Sequence, residues 1–317
     1  MQDRNAKQAA ITIQKYMRGF FAKKNYKINH LSSEQQTSYL TFVVGNDPLM
    51  PKSLNNYHNN DGKIALIATS GMRAVSLACK LGNINNTPKI ILLDNSSKVY
   101  KFWHAMREFI NNSAYAATAE LFVQSLPLFL NQHKHLFRDF AADQFLKYQT
   151  SNVQYLNQNI NNYFKGLINK YSYAYMKAVI LHTSLIKQSW ADVDVFVKIK
   201  NILNHNAINQ IFMYPSNIID CVQDQNIKEQ ILNNIIKVNP QLTIHTHTCD
   251  THKHPEQVLL IKNNDPKNVM AIISKQYPCL SKTEISYDNL DDKFVKFMMN
   301  MLQNNNGCKS NFNTKSM

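Results

Sequence analysis

The sequence predicts an α/β fold with a mostly parallel sheet and helices on both faces. Three observations carry that expectation. KIALIAT at 63–69 and PKIILLD at 88–94 are short continuous apolar runs, as strands buried on both faces require. Between them, SGMRAVSLACKLGN sets Val75, Leu77, Ala78 and Leu81 at helical spacing and stops at Gly82-Asn83. A strand, a helix and a second strand joined this way form a right-handed crossover, which makes the two strands parallel.

The elements follow in order. Residues 5–28 read as one helix, with Ile11, Ile13, Tyr16, Phe20 and Phe21 among lysines and arginines. Residues 29–62 carry three turn clusters and one apolar run, Tyr39–Val44, and read as a linker and lid with one short helix or strand. The sheet domain spans 63–303. Ser96 is placed to cap a helix that continues to about Asn111. A helical insertion is expected near 112–175, with Leu121, Phe122, Leu126, Leu128, Phe129 and Leu130 as its apolar positions. KAVILHTSL (177–185) reads as a strand and Ala191–Leu203 as an amphipathic helix. QIFMY (210–214) is a strand broken by Pro215-Ser216-Asn217, and Ile218–Ile236 is a helix. Leu242–Thr248 and Gln257–Ile261 make a final strand pair. A last helix is expected over 288–303, and 304–317 is expected to be a disordered tail.

Composition narrows the function classes. The chain has 317 residues, enough to bury a large core, and only 7 glycines, too few for a loop-rich repeat architecture. The longest apolar stretch, near Ala174–Ile186, contains Lys177, His182, Thr183 and Ser184. A membrane span needs about 20 mostly apolar residues, so none is expected, and no apolar signal block begins the chain. The five cysteines are odd in number and lack C-x-x-C spacing. That argues against a disulfide framework and for a reducing compartment. Net charge is +14, and residues 1–28 concentrate it: Arg4, Lys7, Lys15, Arg18, Lys23, Lys24 and Lys27 stand against Asp3 alone. A basic helix of this kind calls for an acidic protein partner. Nucleic acid is not expected, since no arginine-rich arm, zinc finger or RNA-binding aromatic signature is present.

The charged helix carries the most specific motif. From Ile13 to Tyr26 the order is apolar, Gln, three residues, basic, Gly, three residues, basic, two residues, apolar. This resembles the IQ calmodulin-binding motif at every position, a match that chance gives about one chain per thousand of this length. The resemblance implies a calmodulin or calmodulin-like partner. Ile13, Phe20 and Tyr26 offer apolar anchors to a groove, and Gln14 reaches backbone groups at its mouth. Arg18 and Lys23 meet acidic side chains, and Gly19 permits close approach. Because calmodulin is eukaryotic, the expected setting is eukaryotic cytosol, or host cytosol for a secreted bacterial effector.

The sheet opening carries a second resemblance. KIALIATSGMRAVSLACKLGNINNTPKIILLDNS is similar to the first βαβ unit of class I, Rossmann-like S-adenosylmethionine-dependent methyltransferases. It is nearest a divergent branch that includes aminocarboxypropyl transferases. IFMYPSNI (211–218) resembles the strand-five "SN" signature of such proteins. The resemblance implies S-adenosylmethionine as cofactor and a methyl transfer to an acceptor it does not identify. It implies cofactor binding by Thr69, Ser70, Gly71, Asp94 and Asn95, and catalytic roles for Tyr214, Ser216 and Asn217. Physical chemistry supports part of this. Thr69-Ser70-Gly71 lies between a buried strand and a helix N-terminus, whose N–H groups and dipole suit a carboxylate. Asp94 follows 23 residues later at a strand end, where its oxygens can accept ribose hydroxyls. The sequence also departs from the pattern. Only Gly71 remains of the usual two or three glycines, and Thr183 or Ser184 stands where an acidic residue after strand four would read the adenine.

Two alternatives stand beside this reading. One is a non-enzymatic calmodulin-binding adaptor on a degenerate Rossmann scaffold. The other is a 3-amino-3-carboxypropyl transferase, which differs in the carbon attacked. The run His245-Thr-His247-Thr-Cys249-Asp250-Thr-His252-Lys-His254 has metal-ligand residue types. It sits at the late hairpin, away from the expected cofactor edge, so it reads as a polar strand face and turn, and no metal is expected.

Overall fold

The computed structural model describes residues 14–18, 21–22, 24–44, 54, 57, 62–138, 160–218, 222–247 and 257–261. The architecture is α/β. Helical residues at 14–18, 21–22 and 24–26 open it, followed by an extended segment over 27–40 with a turn at 33–35. The strands are β1 (Thr41–Phe42), β2 (Lys63–Ala68), β3 (Lys89–Asp94), β4 (Phe137–Arg138), β5 (Thr183–Lys187), β6 (Ile208–Ser216), β7 (Leu242–His247) and β8 (Gln257–Ile261). The helices are α1 (Arg73–Leu81), α2 (Ser97–Asn111), α3 (Ser113–Ala116), α4 (Ala119–His133), α5 (Ile160–Tyr171), α6 (Tyr173–Leu181), α7 (Val193–His205) and α8 (Gln225–Val238).

The main sheet has the order β5-β3-β2-β6-β7-β8. Its first five strands are parallel, and β8 runs antiparallel to β7. The chain starts in the centre at β2, winds outward through β3 to β5, then returns to β6 on the other side of β2. The direction of winding therefore reverses between β2 and β6. Open α/β sheets bind ligands outside the carboxyl ends of the strands at such a reversal.

Alternation along β2 explains the two faces. Ile64, Leu66 and Ala68 pack with residues of α1, α2, α4, α5 and α6 in one buried cluster. Ala65 and Ile67 pack with Trp190, Phe196, Ile199, Ile231 and Ile235 of the α7–α8 side. Ser96 caps α2 by accepting from the N–H groups of Lys98 and Val99, at 3.2 and 3.4 Å. The final pair, β7 and β8, forms where alternating apolar residues place it.

Two local expectations are corrected. KAVILHTSL is not one strand: α6 runs to Leu181, and β5 begins at Thr183. Ser172 caps α6, and Tyr175, Met176, Val179 and Ile180 bury one helical face, so the apolar run serves a helix that periodicity alone could not separate from a strand. Pro215 does not break its strand, since β6 continues through Ser216. The lid's apolar run forms the two-residue strand β1, which pairs in parallel with β4. The helix expected at 288–303 and the tail beyond it lie outside the described residues.

Candidate functional site

Six of the expected site residues come together at the carboxyl edge of β2, β3 and β6. A cavity of about 500 Å³ lies there. Thr69 and Ser70 reach it from β2, Asp94 and Asn95 from β3, and Ser216 and Asn217 from β6. Ile227 and Ile231 of α8 form an apolar wall, and Ser189 and Trp190 enter from the end of β5. A further wall is Tyr39, Leu40 and Phe42, from the segment that follows the N-terminal helix.

Asp94 is the charged centre of this edge and is almost fully buried. Its Oδ2 accepts from the Thr69 hydroxyl at 2.7 Å and the Ser70 N–H at 3.0 Å. Its Oδ1 accepts from the Ser96 N–H at 2.8 Å and from the Tyr39 hydroxyl. Burial holds the carboxyl above the usual carboxylate range, and these four donors offset only part of that rise. A carboxylate has about four acceptor positions. All are answered by the protein itself, so a ribose would need to displace a donor to be gripped.

The turn after β2 is similarly engaged. A Cβ on Gly71 would lie 1.7 Å from the Phe42 carbonyl oxygen. The absence of a side chain thus serves close approach of the chain's own backbone. The Met72 N–H donates to the Val43 carbonyl at 2.7 Å, and Val43 is buried in the core. The place expected to cradle an amino-acid carboxylate is filled by residues 42–43. That part of the site does not fit the methionine end of S-adenosylmethionine.

Ser70 and Ser216 share an unusual backbone. Both have positive φ, 61° and 55°, at the ends of the two strands that flank the reversal. Such residues cost about 1–3 kcal/mol each and persist only where surroundings over-determine them. For Ser70 the surroundings are visible: its N–H is held by Asp94, and its carbonyl accepts from Trp103 Nε1 at 2.6 Å.

Other expected residues fall elsewhere. Thr183 and Ser184 pair with Ile90 and Ile91 at the amino end of β5, while its carboxyl end, Lys187, pairs with Asp94. They cannot read a base at the cavity, which Ser189 lines from the end of β5 instead. β5 is also the third strand of the main sheet in chain order, and β6 is the fourth, not the fifth. Tyr214 packs with Phe212 in the buried cluster on the α1–α2 side and does not line the cavity. His245 is buried on β7. Among the described residues no group of three His, Cys, Asp or Glu side chains could hold a metal ion. Cys249, His252 and His254 lie outside the described residues. Cys79 is buried, and burial pushes its thiol up to about 12, which leaves it unreactive.

Sequence reasoning missed Tyr39, Ser189 and Trp190, and placed Ser96 only as a helix cap. Tyr39 begins the lid's one apolar run, the only signal that the segment returns to the sheet.

The described residues of the N-terminal helix are exposed. Gln14 and Arg18 are exposed, as are Tyr16 at 76%, Met17 at 48% and Phe21 at 49%. Tyr26 is 36% exposed, and its ring lies 5.3 Å from that of His205 on α7. Ile13, Gly19, Phe20 and Lys23 lie outside the described residues. The IQ calmodulin-binding motif matches residues 7–27. A search of curated proteins gave no match to the chain. No helix among the described residues is long and apolar enough to cross a membrane.

Proposed function

We propose that this chain binds calmodulin or a calmodulin-like protein through residues 7–27, in the cytosol of a eukaryotic cell. The observation that carries this is the matched IQ motif on a basic segment whose described aromatic and Met side chains, Tyr16, Met17 and Phe21, are exposed. Apolar anchors of this kind enter a hydrophobic groove, and the surrounding cations draw an acidic partner. Calorimetry of the full chain against calmodulin, with calcium and with chelator, tests it. Saturable one-to-one binding is expected in at least one condition, abolished by the double substitution Gln14→Ala and Arg18→Ala. Absence of heat and of co-elution in both conditions rejects the reading.

A second reading is favoured by the cavity. Thr69, Ser70, Asp94, Asn95, Ser216 and Asn217 converge where the sheet reverses, with two strained serines among them. That supports an S-adenosylmethionine-dependent transferase, methyl or 3-amino-3-carboxypropyl. Against it stand the filled Gly71 turn and the engaged Asp94, which favour a calmodulin-binding adaptor on a degenerate Rossmann scaffold. The discriminating measurement is titration with S-adenosylmethionine, with and without calmodulin. Binding that is lost in Asn217→Ala supports the transferase, and no binding in either state supports the adaptor.

A further inference from the structure

We propose that residues 28–40 are a latch joining the IQ helix to the cavity: Tyr39 occupies Asp94 while the latch is closed, and a partner on the IQ helix opens it. This deepens the calmodulin reading and rests on it for the opening step.

The path is continuous. The last turn of the IQ helix rests on α7, through Tyr26 against His205 and through the Asn25 carbonyl, which accepts from Asn201 Nδ2 at 3.5 Å. Ile28 packs on the α7–α8 core. The chain then crosses the end of β5. Asn29 accepts from Gln188 Nε2 at 3.2 Å, His30 Nδ1 accepts from the Lys187 N–H at 3.0 Å, and the Leu31 N–H donates to the Lys187 carbonyl at 2.8 Å. It reaches the end of β3, where the Thr37 N–H donates to Asn95 at 3.0 Å and its carbonyl accepts from the Ser97 N–H at 2.9 Å. Two residues later the Tyr39 hydroxyl donates to Asp94, and the Tyr39 carbonyl accepts from the Ser96 hydroxyl at 2.7 Å.

The hold is shallow up to that point. Residues 32–35, 37 and 38 are exposed, and the contacts are hydrogen bonds at the ends of β5 and β3 and the start of α2, the densest of them at Thr37, with no buried apolar side chain between Ile28 and Leu40. Beyond it Thr41, Val43 and Val44 are buried. The movable part therefore ends near Leu40, and the core begins at β1. Segments with few buried apolar contacts open at low free-energy cost.

The partner and the latch compete for the same residue. Tyr26 is the final apolar position of the motif, and a groove that encloses it must take it from His205. Losing that anchor removes the support that precedes Asn29, His30 and Leu31. The competing group at the far end is chemically apt. A phenol hydroxyl on Asp94 stands where a ligand hydroxyl would donate, and its departure restores an acceptor facing the cavity. By linkage, a ligand that takes Asp94 from Tyr39 must strengthen partner binding by the same factor.

Amide hydrogen exchange on the full chain tests this, free and with calmodulin. Protection over 14–26 reports partner binding. With it, peptides covering 29–40 and 95–99 are expected to exchange roughly tenfold faster. Protected 14–26 with unchanged or slower exchange at 29–40 overturns the proposal while leaving the calmodulin reading intact. Absence of protection over 14–26 rejects the calmodulin reading, and with it the opening by calmodulin. Tyr39→Phe tests the closed contact in the free chain. Faster exchange at 29–40 supports Tyr39 as the latch, and an unchanged rate overturns it whatever calmodulin does.

Discussion

The IQ helix and the Asp94 turn are both built from polar and aromatic side chains, and they treat them in opposite ways. On the helix Tyr16, Met17 and Phe21 are each about half exposed or more. At the turn every lone pair of a buried carboxylate is met by a donor of the same chain. The first region contributes little to holding the fold and is shaped for something outside it. The second is part of what holds the carboxyl edge together. A site that satisfies itself can take a ligand only by exchanging one hydrogen bond for another, so its affinity depends on what the internal donor costs to remove.

Substitutions sharpen that contrast. Asp94→Ala strands the Thr69, Ser70, Ser96 and Tyr39 donors in a buried edge, and the loss of folding stability should reach about 3 kcal/mol or more. Phe21→Ala on the helix should stay within about 0.5 kcal/mol while weakening partner binding. Urea unfolding of both variants checks this, and comparable losses would erase the distinction. Gly71→Ala comes next. Its Cβ overlaps the Phe42 carbonyl, and overpacking of this kind costs about 1–3 kcal/mol. If the turn were instead open to a ligand, the alanine would be tolerated. Trp103→Phe keeps the ring in the core and removes the bond to the Ser70 carbonyl, for about 1 kcal/mol. Its expected signature is a small drop in the urea midpoint with an unchanged slope.

Local pattern made the central sheet legible. The apolar runs at 63–69 and 88–94 and the intervening helical spacing correspond to β2, α1 and β3, and Ser96 caps α2. The IQ motif was legible for a related reason. A linear helix meets its partner with consecutive residues, so spacing alone encodes it. The Asp94 edge was legible in its members but not in their state. Thr69, Ser70, Asp94, Asn95, Ser216 and Asn217 share one cavity, yet Tyr39 arrives from 55 residues upstream of Asp94, and nothing local marks that pairing. The same limit misplaced Thr183 and Ser184. An apolar run that mixes a helix end with a strand start gives no register, and the sheet order that sets which strand end faces the cavity is a long-range property.

The smallest expected effect is on pH, and it separates the latch from the edge beneath it. His30 Nδ1 accepts from the Lys187 N–H, which requires the neutral ring with its proton on Nε2. Partial burial, with the Lys187 cation adding to it, pushes the His30 pKa below its ordinary value. A histidine whose pKa is lowered in the closed state binds its proton more readily once released. Its contribution to closure is therefore complete above about pH 6.5 and is lost as pH falls through the lowered value. Exchange at 29–40, corrected for intrinsic rate, should accelerate as pH falls below about 6.5 in the free chain. Exchange at β2 and β3 should not, because their hydrogen bonds involve no titrating ring. His30→Gln, which can still accept from Lys187 and cannot protonate, should flatten the profile at 29–40. A profile that keeps its slope in this variant would move the titration to another group.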